Sequence, residues 1–510
     1  MKIINYTPYT KTINPDDMKK LEQDVISNTG LKGLLLMEHA ALALFNRVKE
    51  HLKEDKECII VCGSGNNGGD GYALARLLSQ NSFKCKVYYI AEPKTEDAQY
   101  NCTLLKTLYP EVEIREYEGF FDFDKNTSLV VDALFGTGFR GSLEGDAFNL
   151  IQQINESALP VLAVDVPSGL DSNTGYVCDA AVKAKETITF HKIKTGLLLS
   201  KAIDYVGDIY VANIGLPDSF DYTSGALVLN DETAAMYFPK QNKSAHKGDN
   251  GKVLIIAGSP EMAGAASIAT SAAQRAGAGL VSIASVDKVV QITLKNCPSA
   301  TAHILSDDYD EALSKIIDVL NNYDSVVIGS GLGRGNYQNK LVIDVIGHIN
   351  NINLPCVVDA DALNIIAEQG LGFKLNKNFV LTPHPKEAAR LLGCDIDFII
   401  KDYANAANEI SDKYGGSIVL KGACSYIKAQ RRIAINTSGS PALAKAGSGD
   451  ALAGIIAALL ANKKTGSFIS LALGSYMLGK AAELAEIKLG TNAVTIFDVI
   501  SELGFISKLN

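Results

Sequence analysis

The feature that most narrows the fold is a rhythm. From Glu57 onward, short apolar runs alternate with helical stretches along nearly the whole chain. In the first half the runs cover residues 58–62, 86–90, 129–134, 161–166, 187–190 and 209–214. In the second they cover 253–257, 280–284, 326–328, 356–358, 379–381 and 418–420. A short run that is apolar throughout suits a strand covered on both faces, as in a parallel sheet between helix layers. Ahead of the first run, Met18, Leu21, Val25, Leu44, Phe45 and Val48 keep helical spacing. The rhythm pauses over the polar joint 216–250 and then restarts. With 510 residues there is room for two full cores, and two α/β domains are expected, 1–222 and 223–510.

Ligands of such sheets bind beyond the carboxyl ends of the strands, so the loops there carry the functional signal. The first run ends in Gly63-Ser-Gly-Asn-Asn-Gly-Gly-Asp-Gly71, ahead of a helix expected at 72–78. Gly63, Gly65 and Gly68 fit the dinucleotide fingerprint, and Glu92 stands where a ribose hydroxyl would be held, which is the reading of a nicotinamide dehydrogenase. Against it, Asn66, Asn67, Asp70 and extra glycines occupy the place where a helix should begin. Such a loop suits a polar ligand or an ion as well as a pyrophosphate. Asp132-Ala-Leu-Phe-Gly-Thr-Gly-Phe-Arg-Gly141 adds glycines, a hydroxyl and Arg140, and Asp165-Val-Pro-Ser-Gly-Leu-Asp171 follows. Asn67, Asp132 and Ser168 could give hard oxygen ligands to a cation. The alternative makes the Gly and Pro residues turn punctuation and the aspartates helix caps.

In the second half, Gly447-Ser-Gly-Asp450 feeds the all-round apolar stretch Ala451-Leu-Ala-Gly-Ile-Ile-Ala-Ala-Leu-Leu460. A Gly-rich turn at a helix start presents free N–H groups and suits phosphate. A carboxylate there fits one task, taking a proton from a hydroxyl that attacks phosphorus; the alternative is a plain N-cap. The helix end favours the charged form by about 0.3–1 kcal/mol, so Asp450 is expected to be a weak base. His384 stands between two prolines at a strand exit and reads as a ligand contact or a surface turn. Lys421 ends a buried run, so its head needs an anion or water, and a nucleotide phosphate would serve.

Composition closes several classes. A formal net charge of −9 without a dense basic run argues against nucleic acid. Nine cysteines without a CxxC pair read as reduced core thiols. No basic-then-apolar leader and no apolar run near 18 residues is present, so a cytoplasmic protein off the membrane is expected.

Gly65-Asn-Asn-Gly-Gly-Asp-Gly71, Asp132-x-x-x-Gly-Thr-Gly138 and Asp165-Val-Pro-Ser-Gly-Leu-Asp171, in this order, resemble the epimerase domain of the NAD(P)H-hydrate repair family. Gly329-Ser-Gly-Leu-Gly-Arg334, Asp359-Ala-Asp-Ala-Leu363, Thr382-Pro-His-Pro-Lys-Glu387, Lys421-Gly422 and Gly447-Ser-Gly-Asp450 resemble the family's ribokinase-like dehydratase domain. Together the resemblances cover nearly the whole chain in the tandem order of the bifunctional enzyme. They imply a Rossmann-like three-layer α/β/α domain followed by a ribokinase-like α/β domain. They also imply that Asn66, Asn67, Gly68, Gly69, Asp70, Gly136, Thr137, Gly138, Phe139, Arg140, Gly141 and Asp165 hold hydrated NADH or NADPH. Asn67, Asp132 and Ser168 would hold K+. In the second domain Ala265, Gly331, Gly333, His384 and Asp450 would contact the hydrated cofactor, and Lys421, Gly422, Ala423, Cys424, Ser425, Gly447, Ser448 and Gly449 the nucleotide. ADP or ATP, with Mg2+, would be the co-substrate, Asp450 and Asp165 the catalytic residues, and a homo-oligomer the assembly. His39, Ser330 and Lys386 depart from the family pattern, and Lys386 could alter the reach of His384. Two other readings stay open: a vitamin-pathway kinase with a regulatory N-terminal domain, and a non-enzymatic binding module in the first half.

Overall fold

The computed structural model describes residues 1–4, 11–121, 123, 125–217, 225–239, 243–244 and 246–506. It divides into two compact units, Met1–Leu227 and Val228–Asn510. The boundary expected after residue 222 lies outside the described residues.

The first unit is built on an eight-stranded parallel sheet. Across it the strands run Ile3–Ile4, Asp208–Ala212, Glu186–Phe190, Val161–Val164, Thr127–Ala133, Glu57–Cys62, Lys84–Tyr89 and Glu113–Glu116. Every described pairing is parallel. Glu57–Cys62 is the turning point: the chain builds outward to Glu113–Glu116, then returns to place Thr127–Ala133 on its other side. The Gly63 and Leu134 loops therefore leave adjacent strands at the switch point, where such sheets open a crevice. Ile59, Ile60, Val61, Val130 and Val131 are wholly buried, as two-sided coverage requires.

The second unit carries ten strands in the order Thr301–Ile304, Leu280–Ser285, Lys252–Ile256, Ser325–Ile328, Cys356–Val358, Leu375–Leu381, Gly415–Leu420, Ser425–Ala429, Arg432–Asn436 and Leu227–Val228. Pairing is parallel as far as Gly415–Leu420 and antiparallel through the hairpin that follows. Helix Ser448–Asn462 is buried from Ala451 to its end and packs on helix Ala263–Arg275. That approach depends on Gly454, since a Cβ there would lie 2.2 Å from the Ala269 carbonyl oxygen.

All the expected strands are present, with ends shifted by a few residues. Those not anticipated are polar or short: the two-residue strands Ile3–Ile4 and Leu227–Val228, Glu113–Glu116 and Thr301–Ile304 at sheet edges, and the hairpin Ser425–Ala429 with Arg432–Asn436. One helix start differs more. The helix expected at 72–78 begins at Asn66 and runs to Gln80, so the polar loop is its first turns. No helix among the described residues is long and apolar enough to cross a membrane.

Candidate active sites

In the first unit, close packing explains the glycines. A Cβ on Gly63 would come within 1.9 Å of the Leu134 carbonyl oxygen, and one on Gly68 within 1.9 Å of the Gly63 carbonyl oxygen. The two loops and the helix start are thus drawn together at the switch point. Asn67 lies against Gly136, where a Cβ would be 3.1 Å from its Oδ1, and its Nδ2 is buried without a hydrogen-bond partner. Asp132 is wholly buried and accepts from Ser168 Oγ (2.6 Å), Ser168 N (2.8 Å) and Leu134 N (3.2 Å). Burial pushes its pKa up to about 6 against the pull of those donors. The structure therefore brings Asp132 to Ser168, and Asn67 to the Gly136 loop.

Beyond them, Phe139 stacks on Phe135 with centroids 5.2 Å apart. Arg140 does less than its sequence position suggests. Its Nη1 donates to the carbonyls of Thr137 (2.9 Å) and Phe139 (2.7 Å), so part of its fork is spent on its own loop. A Cβ on Gly138 or Gly141 would meet nothing within 4 Å, which leaves that side of the loop open.

Asp165 is held in the left-handed region (φ 63°) at a strand exit. Its Oδ1 accepts from Thr189 Oγ1 (3.0 Å), Phe190 N (3.2 Å) and the buried Lys194 Nζ (2.5 Å). Lys194 also donates to the Phe190 carbonyl at 2.9 Å. Two more carboxyls feel the charges of this pair. Asp70 is buried, and burial first, then the charges of Asp165 and Glu22, push its pKa well up. Glu22, from helix Pro15–Thr29, is raised to about 7 by burial, with Lys194 opposing and Asp165 adding to the rise. Lys194 and Glu22 were not among the residues singled out from the sequence. His39, on helix Gly33–His51, turns its ring to the Ile214 carbonyl at 3.0 Å, lining a groove of about 450 Å³ with Leu42 and Tyr210.

In the second unit, Asp450 is third in helix Ser448–Asn462, behind Gly447 as the cap (φ 96°). It is not the N-cap. The expected weak base is corrected as well: burial, then repulsion from Asp359, raises its pKa to about 6, outweighing the helix end. Lys421 finds its anion inside the protein, donating to Asp359 Oδ1 at 2.8 Å, with Glu387 at 3.8 Å. Burial works against the charged lysine head, but these carboxylates outweigh it and leave its pKa raised. Thr382 Oγ1 donates to the same Asp359 oxygen at 2.7 Å. Gly449 keeps its backbone beside this cluster, since a Cβ would lie 3.2 Å from Lys421 Nζ and 3.3 Å from Asp359 Oδ2. Asp450, Gly449, Lys421, Asp359 and Glu387 thus share one charged pocket.

His384 is a helix cap. Its Nδ1 accepts from the amides of Lys386 (3.1 Å) and Glu387 (3.2 Å), and Glu387 accepts from the His384 amide at 2.8 Å. Half of the imidazole stays exposed for another partner, and the Lys386 side chain points to solvent. Gly331 packs against Ala265, and the Gly333 amide donates to Asp361 Oδ2 at 2.9 Å. Ser330 is wholly buried. Gly422 and Ala423 are exposed, Cys424 is buried and Ser425 opens a strand. The Ser448 hydroxyl donates back to the Leu443 carbonyl at 2.9 Å.

A family model described as NAD(P)H-hydrate dehydratase matches residues 253–503, and one described as YjeF-related protein N-terminus matches 33–196. Bifunctional NAD(P)H-hydrate repair enzyme from Moorella thermoacetica is 33% identical over 511 residues, covering 96% of this chain and 95% of its own. The chain belongs to the bifunctional NAD(P)H-hydrate repair enzymes. The Escherichia coli member is 33% identical over 491 residues, covering 96% of this chain and 92% of its own, and the Coxiella burnetii member 35% over 457, covering 88% and 89%. A ribokinase-like superfamily protein from Enterococcus faecalis superposes with a TM-score of 0.51 at 24% identity, covering 57% of this chain and 98% of its own. That likeness gives the fold of the second unit: ribokinase-like.

Proposed function

We propose that this chain restores hydrated NADH and NADPH through two sites acting in turn. The first unit interconverts the R and S hydrates, and the second dehydrates the S form with an adenine nucleotide, ADP in preference. The observation that carries the reading is that each matched span holds its own carboxyl centre, around the buried Asp165 in one and the half-buried Asp450 in the other.

The hydrate carries a hydroxyl on C6 of the nicotinamide ring, and hydroxide is a poor leaving group. Phosphoryl transfer makes it a better one, and loss of phosphate then restores the double bond. Asp450 takes the proton of the attacking hydroxyl; a carboxylate with its pKa near 6 is still ionised at neutral pH and is a stronger base than an ordinary aspartate. Amides of Gly447, Ser448 and Gly449 at the helix start hold charge on the moving phosphoryl group. Lys421, with the backbone of residues 422–425, faces the nucleotide while Asp359 fixes the lysine head. Ala265, Gly331, Gly333 and His384 line the hydrated ring. Mg2+ would enter with the nucleotide, as the counterion of its phosphates.

The residues of the first unit fit a potassium ion. Asp132 is a wholly buried carboxyl whose described partners are only neutral donors, Ser168 adds a hydroxyl, and turning the Asn67 amide over puts an oxygen where its unpaired Nδ2 now stands. A bound K+ would pin the two loops and the helix start in the shape that receives the cofactor. Asn66 to Asp70 and Gly136 to Gly141 then frame the hydrate.

The decisive experiment adds ADP or ATP with Mg2+ to hydrated NADH and follows the returning absorbance of reduced nicotinamide. A stable phosphorylated product would favour the kinase reading. Epimerisation should need potassium and survive EDTA; activity lost to EDTA and restored by zinc would remove the potassium site.

A further inference from the structure

Ser330 is wholly buried, and its Oγ makes no well-formed hydrogen bond. A buried hydroxyl left unpaired is costly unless something uses it. It is also one of the positions where the chain departs from the family pattern. The fold holds it tightly. Gly329 before it (φ 126°) and Gly331 after it (φ 63°) both lie in the left-handed region. The Ser330 carbonyl accepts from Gly258 N at 2.8 Å, and a Cβ on Gly331 would come within 2.8 Å of the Ala265 Cβ. Asp359 joins this loop to the start of helix Ser448–Asn462. A Cβ on Gly329 would lie 2.0 Å from the Asp359 carbonyl oxygen, and one on Gly449 3.3 Å from Asp359 Oδ2. Ser330 follows the first glycine and Asp450 the second, so the two side chains take neighbouring places around Asp359. The other Asp359 oxygen is already engaged by Thr382 Oγ1 at 2.7 Å and Lys421 Nζ at 2.8 Å.

We propose that Ser330 is a positioning residue of the dehydratase site: its hydroxyl donates to one Asp450 oxygen and leaves the other turned to the hydroxyl of the hydrate. This rests on the reading of Asp450 as the base. Ser330 keeps its own proton throughout; the C6 hydroxyl gives one up, to the free Asp450 oxygen, as its oxygen bonds to phosphorus. A donor to the charged form favours that form. Burial and then Asp359 raise the Asp450 pKa, with Asp361 adding, while Ser330 and Lys421 draw it down. The elements packed on the Asp450 helix direct their charges elsewhere. Strands Ser325–Ile328 and Cys356–Val358 carry none, and helix Ala263–Arg275 has only Arg275, at its last residue. Lys247, Asp249 and Lys252 lie by the far end of the Asp450 helix, where Gly251 packs on Ala461. From helices Ser467–Leu489 and Ile496–Ile506, Lys488 pairs with Glu502 and Lys480 with Glu483 and Asp231, while Glu486 and Asp498 accept from Thr491 and Thr495.

The test uses the full chain, the S-hydrate of NADH and ADP with Mg2+, with kcat followed against pH by the returning absorbance of reduced nicotinamide. Ser330→Ala should lower kcat at pH 7 about tenfold, with both KM values within about threefold. It should also move the acid limb, near pH 6 in the wild type, upward by about half a unit or more, since the ionised carboxyl has lost a donor. Ser330→Cys, a poorer donor of similar size, should fall between the two. Thr270→Val, which removes another buried and unpaired hydroxyl from the same unit, should keep the wild-type rate and limb. The limb is read on folded enzyme only, so a partial loss of fold lowers kcat without moving it. Wild type that fails to dehydrate, or dehydrates without a limb near pH 6, would sink the reading of Asp450 as the base. Wild type with that limb and Ser330→Ala with the same one, whatever its rate, overturns the role of Ser330.

Discussion

Asp450 pays for its role in stability. Its folded pKa of about 6 lies above the value near 3.9 of an unfolded aspartate, so ionisation is harder in the fold. The stability present below about pH 4 is lost as pH rises through about 6. Asp450→Asn should therefore raise the unfolding free energy at pH 7 by about 1–3 kcal/mol, with the gain fading toward pH 4 in thermal melts. The same variant should abolish nucleotide-dependent dehydration while nucleotide binding stays within about tenfold, or ~1.4 kcal/mol. In the wild type, dehydration should fall as pH drops through about 6, since the base is then protonated. Lys421 makes the reverse case. Lys421→Met would leave Asp359, 1% exposed, without its cation, and should cost about 3–5 kcal/mol by denaturant unfolding. An unchanged midpoint would mean that Asp359 does not need the pair.

At the scale of elements, the packing of helix Ser448–Asn462 on Ala263–Arg275 should be the sensitive joint of the second unit. Gly454→Ala puts a methyl 2.2 Å from the Ala269 carbonyl and should lower stability by about 1–3 kcal/mol. Because Asp450 rides on that helix, kcat should fall with it; a variant with unchanged melting would show that the helices can part. The strands were legible because two-sided burial leaves apolar runs. The edge strand Glu113–Glu116 was not, because only one neighbour covers it and its residues stay polar. The first turns of Asn66–Gln80 were hidden for a different reason: their glycines mark close approach to Gly63 and Met37, and composition alone cannot separate that from a loop. At the sites, Asp132 with Ser168 and Asp450 with Gly449 could be anticipated from motifs at strand ends. Lys194 could not, since a lysine four residues past a strand gives no sign that it is buried against Asp165. Glu22 lacked even a motif, being one acidic residue among several on a surface-patterned helix.

For the whole molecule, the two compact units imply separable activities. A piece ending at Leu227 should still interconvert the hydrates, and one starting at Val228 should dehydrate the S form only. A C-terminal piece that clears both forms at one rate would leave the first unit without the task assigned to it. The order of strands also carries a consequence for synthesis. Ile3 and Ile4 pair in parallel with Ile209 and Tyr210, at the far end of the same unit. On the ribosome the opening strand must wait for some 200 residues to emerge before its partner exists, so that edge of the sheet zips up last. Among the described elements, helix Pro15–Thr29 comes next along the chain. A nascent chain halted before residue 208 should hold its first sheet open at that edge, however well its central strands have already set.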